Sequence, residues 1–183
     1  MDVQMQIMSA YHEAGHVVVA YWFGATLKSV EMGAHPNTKL QWPNGTTPEA
    51  LVKGLVAGSL AGYKGWMHFG RLDRKGLLSS FRKRDEKYTL QALQTVRNGG
   101  YATDGIWDDR IRIADILLRD VPTTPNEAYL GLVRRYEDET LELLDKPPIW
   151  RAVESVVRAL LKTGRLNNDE AMAAIDKEFW ESR

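Results

Sequence analysis

Cysteine is absent from the 183 residues of this chain. This absence excludes disulfide scaffolds, thiol nucleophiles and thiolate zinc sites, and it leaves histidine and carboxylate side chains as the metal ligands to look for. The chain also has no excess of charge, because Lys plus Arg and Asp plus Glu both number 24. A neutral molecule has no overall field that attracts nucleic acid, so we expect no nucleic-acid partner.

Long apolar runs are missing too. No uninterrupted stretch approaches the roughly 18 residues that identify a membrane-spanning helix, and the N-terminal MDVQMQ lacks the basic start and apolar core of a signal peptide. We therefore expect no membrane segment and a cytoplasmic location. The length suits a single domain, residues 1–183, that buries a core of its own.

The spacing of apolar residues predicts a mainly α-helical fold of the α+β class, with one small sheet. Two short strands, residues 26–32 and 38–42, flank the turn-rich GAHPN and form a predicted hairpin. Residues 70–87 are dense in Arg and Lys and are predicted to form an exposed loop. Helices are predicted over residues 3–24, 48–69, 88–96, 126–146 and 149–164, over the stretch DGIWDDRIRIADILL, and after LNND near the end.

The first predicted helix contains the pattern His-Glu-x-x-His at His12, Glu13 and His16. Residues at positions i and i+4 project from the same side of a helix about one turn apart, so both imidazoles can hold a single ion. Glu13 lies about 100° round the helix from His12, where it is poorly placed as a ligand but can take a proton from a metal-bound water. The pattern therefore predicts a metal site with Glu13 as its general base.

A structural interpretation of these histidines competes with the metal site. Most histidines in amphipathic helices are structural, and His-x-x-x-His pairs also arise by chance. The three ionisable side chains lie mid-helix among apolar residues, however, where they would cost several kcal/mol of desolvation without a metal or partners. This cost favours the metal site. His35 and His68 have no ligand spacing with another histidine and are predicted to be structural or exposed to solvent.

The stretch AYHEAGHVVVAYWFG resembles the zinc-binding helix of the peptidase domain of FtsH-type membrane AAA proteases, including the Ala14-Gly15 pair before the second histidine. LVAGSLAGYKGWMHFG resembles the helix that follows in that family, and WRAVESVVRALLKTGRLNNDE is similar to its C-terminal helix. The resemblance covers most of the chain. It implies a helical metallopeptidase domain that binds Zn²⁺, and we expect this domain to stand alone, without the family's ATPase module.

In that family the third zinc ligand is an aspartate at the start of a later helix. The corresponding stretch here is ATDGIWDDRIRIADILL, in which Asp108 and Asp109 are the candidates. A ligand that points inward should be followed by apolar residues at helical spacing, and Ile113, Ile116 and Leu117 follow Asp109 in that way. Asp109 is therefore the predicted ligand and Asp108 the alternate. Both could instead be ordinary first-turn acids that suit the helix dipole.

The chain departs from the family at three places. Gly62, Tyr63 and Lys64 stand where the family's second helix carries paired glutamates. His12 lies so near the start of the sequence that we expect no ATPase module or membrane anchor before it in this chain. The basic segment 71–87 has no counterpart, and it is interpreted as a solvated loop or, alternatively, as a docking surface for an acidic partner or nucleic acid.

The predicted function is that of a zinc-dependent endopeptidase acting on unfolded proteins or peptides, with His12, His16 and Asp109 holding the ion and Glu13 as general base on zinc-bound water. The strand 37–42 resembles the family's edge strand, to which an extended polypeptide substrate adds through main-chain hydrogen bonds. Two alternatives stay open: a non-catalytic, metal-stabilised interaction module, and a peptidase subunit whose separate ATPase is supplied in trans. The family forms hexamers, so the resemblance also raises the expectation of a homo-oligomer.

Overall fold

A computed structural model of the chain describes residues 3–69, 74–100 and 106–180. The described residues contain seven helices and three short strands. This content confirms the predicted mainly helical fold with one small sheet. In chain order the elements are α1 (Val3–Trp22), β1 (Thr26–Glu31), β2 (Asn37–Gln41), α2 (Pro48–Phe69), α3 (Arg74–Arg97), α4 (Ile106–Asp120), α5 (Asn126–Leu144), α6 (Pro147–Thr163), β3 (Arg165–Leu166) and α7 (Asn168–Trp180).

The sheet is antiparallel and has the strand order β2-β1-β3. The predicted hairpin is confirmed, since β1 pairs with β2 in a register that runs from Thr26 opposite Gln41 to Glu31 opposite Asn37. The third strand was not predicted, because its two residues are too few for a pattern of alternation to show. β1 is thus the central strand, and β2 lies at an edge of the sheet among the described residues.

Helix α1 lies at the centre of the molecule, where it packs against α2, α6 and the sheet. From Ala10 to Ala20 every residue except His12 is buried, so the helix is enclosed on nearly all sides over this stretch. On the α6 side the ring of Tyr11 stacks on that of Trp150, with centroids 5.6 Å apart. The His-Glu-x-x-His pattern therefore lies on the most enclosed helix of the fold.

The predicted loop over residues 70–87 is wrong for residues 74–87, which form the first half of α3. The predicted short helix 88–96 is the second half of the same element. Phe81, Asp85 and Leu93 are buried at helical spacing, and Arg82 between them pairs with Asp138 of α5. Local composition pointed to a loop because this helix is polar on most of its surface and is held by contacts with distant residues.

Lys64 connects α2 to the end of α5. Its ammonium group donates to the backbone oxygen of Leu144 at 2.7 Å and pairs with Asp145, also at 2.7 Å. It also lies 4.4 Å from the ring centroid of Trp150. A cation at the carboxyl end of a helix is favoured by the helix dipole, so Lys64 fastens α2 to the end of α5.

Among the described residues, no helix is both long enough and apolar enough to cross a bilayer.

Candidate metal centre

Three ligand atoms converge between α1 and α4. The Nε2 atoms of His12 and His16 are 3.0 Å apart, and Asp109 Oδ2 lies 3.2 Å from the first and 3.1 Å from the second. The histidine spacing of one helical turn brings the two rings together, and the start of α4 supplies the carboxylate. The side chains of His12, His16 and Asp109 are 19%, 7% and 14% exposed respectively, so the group is mostly buried but is not closed to solvent.

The spacing of these atoms fits a small cation. Ligands about 2.0–2.1 Å from a tetrahedral zinc ion are roughly 3.3 Å from one another, which is close to the separations in this triangle. Two imidazole nitrogens and one carboxylate oxygen are also a common ligand set for catalytic zinc, which keeps a fourth position open. The described residues of the chain thus contain a His/His/Asp group that could hold a metal ion.

The charge of Asp109 dominates the electrostatics of this group. Burial by itself would lower the pKa of His16, but the Asp109 carboxylate outweighs that effect and raises the pKa to about 9. Burial likewise works to raise the pKa of Asp109, while the charge of His16 and hydrogen bonds from both histidines hold it far below its ordinary value. Without a metal ion, the raised pKa of His16 therefore favours its protonated form beside the Asp109 carboxylate.

A hydrogen bond to α2 fixes the orientation of His16. Its Nδ1–H donates to the backbone oxygen of Gly54 at 2.8 Å, which leaves Nε2 as the nitrogen that faces His12 and Asp109. The ring fits against α2 because Gly58, one turn after Gly54, has no side chain; a Cβ at Gly58 would overlap the imidazole. The backbone of α2 thus forms the support beneath one ligand.

Glu13 lies beside the ligand group and is held by the sheet. The Thr38 hydroxyl of β2 donates to Glu13 Oε2 at 2.6 Å, and the Glu13 residue is only 5% exposed. Its negative charge contributes to the raised pKa of His16, which places it within electrostatic reach of the ligands. A carboxylate whose rotamer is fixed next to a metal position is suited to accept a proton there.

The structure brings together His12, His16 and Asp109, which is the set predicted from the sequence. The alternate ligand Asp108 and the histidine at 68 cannot be placed in the same way, since their side chains lie outside the described part of the chain. His35 lies in the connection between β1 and β2 and is exposed to solvent.

Sequence reasoning missed the residues that support the centre. Thr38, Gly54 and Gly58 contact Glu13 or His16, yet none of them was singled out. The small residues that recur along α2 are the one signal in the sequence, since they are typical of close packing, but they do not identify the histidine helix as the neighbour.

Comparison with models of protein families and with curated proteins found no match to this chain.

Proposed function

We propose that this protein is a zinc-dependent endopeptidase that hydrolyses peptide bonds in unfolded proteins or peptides. The observation that supports it best is the convergence of His12, His16 and Asp109 beside a buried, oriented Glu13. The resemblance of the histidine helix to that of FtsH-type peptidase domains agrees with this proposal and stays a prediction.

The ligand set would hold the cation through two neutral imidazoles and one carboxylate. When bound, a zinc ion supplies Lewis acidity, which polarises a scissile carbonyl and lowers the pKa of a coordinated water. Two features of the protein suit His16 and Asp109 to bind a cation. The bond from His16 to Gly54 keeps the correct ring nitrogen toward the centre, and the low pKa of Asp109 keeps its carboxylate ionised.

Glu13 is the proposed general base. Its carboxylate would take a proton from the attacking water and return it to the leaving amine. Thr38 donates to Oε2, so the other carboxylate oxygen, Oε1, is the one that this bond leaves free for the transfer. Because the same hydrogen bond connects Glu13 to β2, the base and the proposed substrate-binding strand are fixed relative to one another.

The edge strand β2 is the proposed binding site for the peptide backbone. Its residues alternate between exposed and half-buried, and it pairs with β1 along one side only among the described residues. An extended peptide can add to such an edge through main-chain hydrogen bonds, which favours unfolded substrates over folded ones. Thr38 lies within β2, so an added peptide would run close to Glu13.

The decisive experiment compares zinc content and peptide cleavage in the wild type and in the Glu13→Gln variant. We expect the wild type to bind one zinc ion and to cleave an unfolded protein or members of a broad peptide panel. Glu13→Gln should keep the zinc and lose activity by roughly 10²–10⁴-fold, the usual contribution of a general base. Asp109→Asn should lose zinc affinity as well as activity.

Glu31→Gln is the matched control, since it makes the same change at an exposed glutamate of β1 and should alter neither property. A wild type that binds zinc but cleaves nothing would contradict the peptidase and favour the metal-stabilised interaction module. A wild type that becomes active only with an ATPase from its host would favour the subunit that works in trans.

A further inference from the structure

A second cluster of charged residues involves the residue next to Asp109. Arg110 follows Asp109 on α4, and its side chain is only 1% exposed. The guanidinium group donates to Asp85 of α3 and, at 3.3 Å, to Glu137 of α5. Both carboxylate side chains are 5% exposed, so the whole cluster is buried. We call Asp85, Arg110 and Glu137 the anchor triad.

Stability alone is a weak reason for such a group. Removing ions from water costs several kcal/mol per ion, and buried ionic triads have been replaced by apolar side chains with no loss of stability. Apolar packing fixes the orientation of a helix less well, because the hydrophobic effect is non-directional. Hydrogen bonds donated by a planar guanidinium group fix both an angle and a position.

A fixed orientation matters here because Arg110 is the neighbour of Asp109 on α4. Consecutive residues of a helix project about 100° apart, so Arg110 points into α3 and α5 while Asp109 points toward α1. Bonds to two different helices restrict rotation of α4 about its axis and sliding along it. A metal ligand must be held within about 0.5 Å of its productive position, and small shifts of α4 would exceed that limit.

We propose that the anchor triad positions Asp109 for metal binding by fixing the rotation and height of α4. Arg110, Asp85 and Glu137 are positioning residues in this role, because none of them touches the metal ligands of α1. The inference rests on the proposed metal centre. It adds to the three ligands the residues that orient one of them, Asp109.

The experiment measures zinc affinity, by competition with a chromophoric chelator, and thermal unfolding of the same metal-free proteins. In the triple variant Asp85→Leu, Arg110→Met, Glu137→Leu, we expect a folded protein whose zinc affinity falls about tenfold or more, as for other residues that orient a ligand. Glu137→Leu alone should weaken zinc binding by a smaller factor. Glu137→Gln keeps an oxygen acceptor for Arg110 and should bind zinc like the wild type.

The double variant Arg82→Met, Asp138→Leu is the matched control. It removes an ion pair between the same two helices, α3 and α5, without touching α4, and zinc affinity should not change. If the triple variant and Glu137→Leu both fold and bind zinc with wild-type affinity, the positioning role is contradicted. If the triple variant does not fold, the comparison of Glu137→Leu with Glu137→Gln decides the question in the same way.

A crystallographic readout separates this inference from the proposed function. In metal-free crystals of Glu137→Leu or the triple variant, we expect Asp109 Oδ2 to lie at least about 0.5 Å farther from the histidine nitrogens than in the wild type. An unmoved Asp109 would overturn the inference whether or not the protein binds zinc. A wild type without zinc affinity would instead overturn the proposed metal centre.

Discussion

At the scale of single residues, Gly58 lies so close to the imidazole of His16 that it leaves no room for a Cβ at the candidate metal centre. Gly58→Ala would add a methyl group where the ring now lies. We expect the ring to turn away and zinc affinity to fall about 10–100-fold, as it does when the support of a ligand is lost. Competition for zinc against a chelator measures this loss.

Gly62→Ala is the control for that variant. It makes the same change one turn later on α2, where the added Cβ would meet its nearest atoms at an ordinary 3.7 Å. Both substitutions raise helix propensity by about 1 kcal/mol, so that contribution cancels between them. Equal zinc affinity in the two variants would show that the fit of the His16 ring against α2 does not govern metal binding.

The raised pKa of His16 leads to a second prediction at this scale. Because Asp109 raises that pKa from 6.5 to about 9, the metal-free centre holds a proton at pH 7 that zinc must displace. Zinc affinity should therefore rise with pH, by close to tenfold per unit for one proton, until about pH 9. Calorimetry of zinc binding in buffers of different ionisation enthalpy should show about one proton released. Release of no proton at pH 7 would contradict the assigned state of His16.

At the scale of the elements, the sequence predicts features that depend on neighbouring residues and misses those that depend on distant contacts. The spacing of His12 and His16 is local, so it was visible in the sequence, and the apolar residues after Asp109 gave the phase of α4. Thr38 lies on a strand whose pairing brings it to Glu13, and no local pattern encodes that contact. The burial of Arg110 likewise depends on contacts with the distant helices α3 and α5, which no local pattern encodes.

Helix α3 is the element that the sequence described least well. Its basic composition predicted a loop, whereas the structure has a helix from Arg74 to Arg97. Lys83 lies near the middle of α3 along the chain, and its side chain is exposed to solvent, so it can be changed without disturbing the core. This position offers a direct test of the helix.

Lys83→Pro should lower the free energy of unfolding by about 3 kcal/mol or more, because proline removes a helical hydrogen bond and clashes with the preceding turn. Lys83→Ala removes the same charge and keeps the helix, so its stability should stay close to that of the wild type. Chemical denaturation measures both. If the proline variant is as stable as the alanine variant, the segment around Lys83 is a loop, as the sequence predicted, and not a helix.

At the scale of the whole molecule, α3, α4 and α5 meet at the anchor triad, and that meeting makes stability depend on pH. Burial raises the pKa of Glu137 to about 7, with Arg110 opposing the rise and Asp85 adding to it. The folded protein therefore keeps a proton on Glu137 that the unfolded chain releases near pH 4.5. This proton is bound by the folded state and not by the unfolded one throughout the interval between those two values.

The free energy of unfolding should consequently fall as pH rises from about 4.5 to about 7, and the contribution of Glu137 should level off above that. Glu137→Gln places a permanently neutral group at the same position and removes this contribution. The variant should gain stability relative to the wild type across the same interval, by up to a few kcal/mol. Denaturation of both proteins at several pH values, with a chelator present, isolates the effect, because the titration of His16 is common to both. Parallel pH profiles would mean that Glu137 is ionised in the folded protein, and the buried triad would then carry two carboxylate charges against one guanidinium.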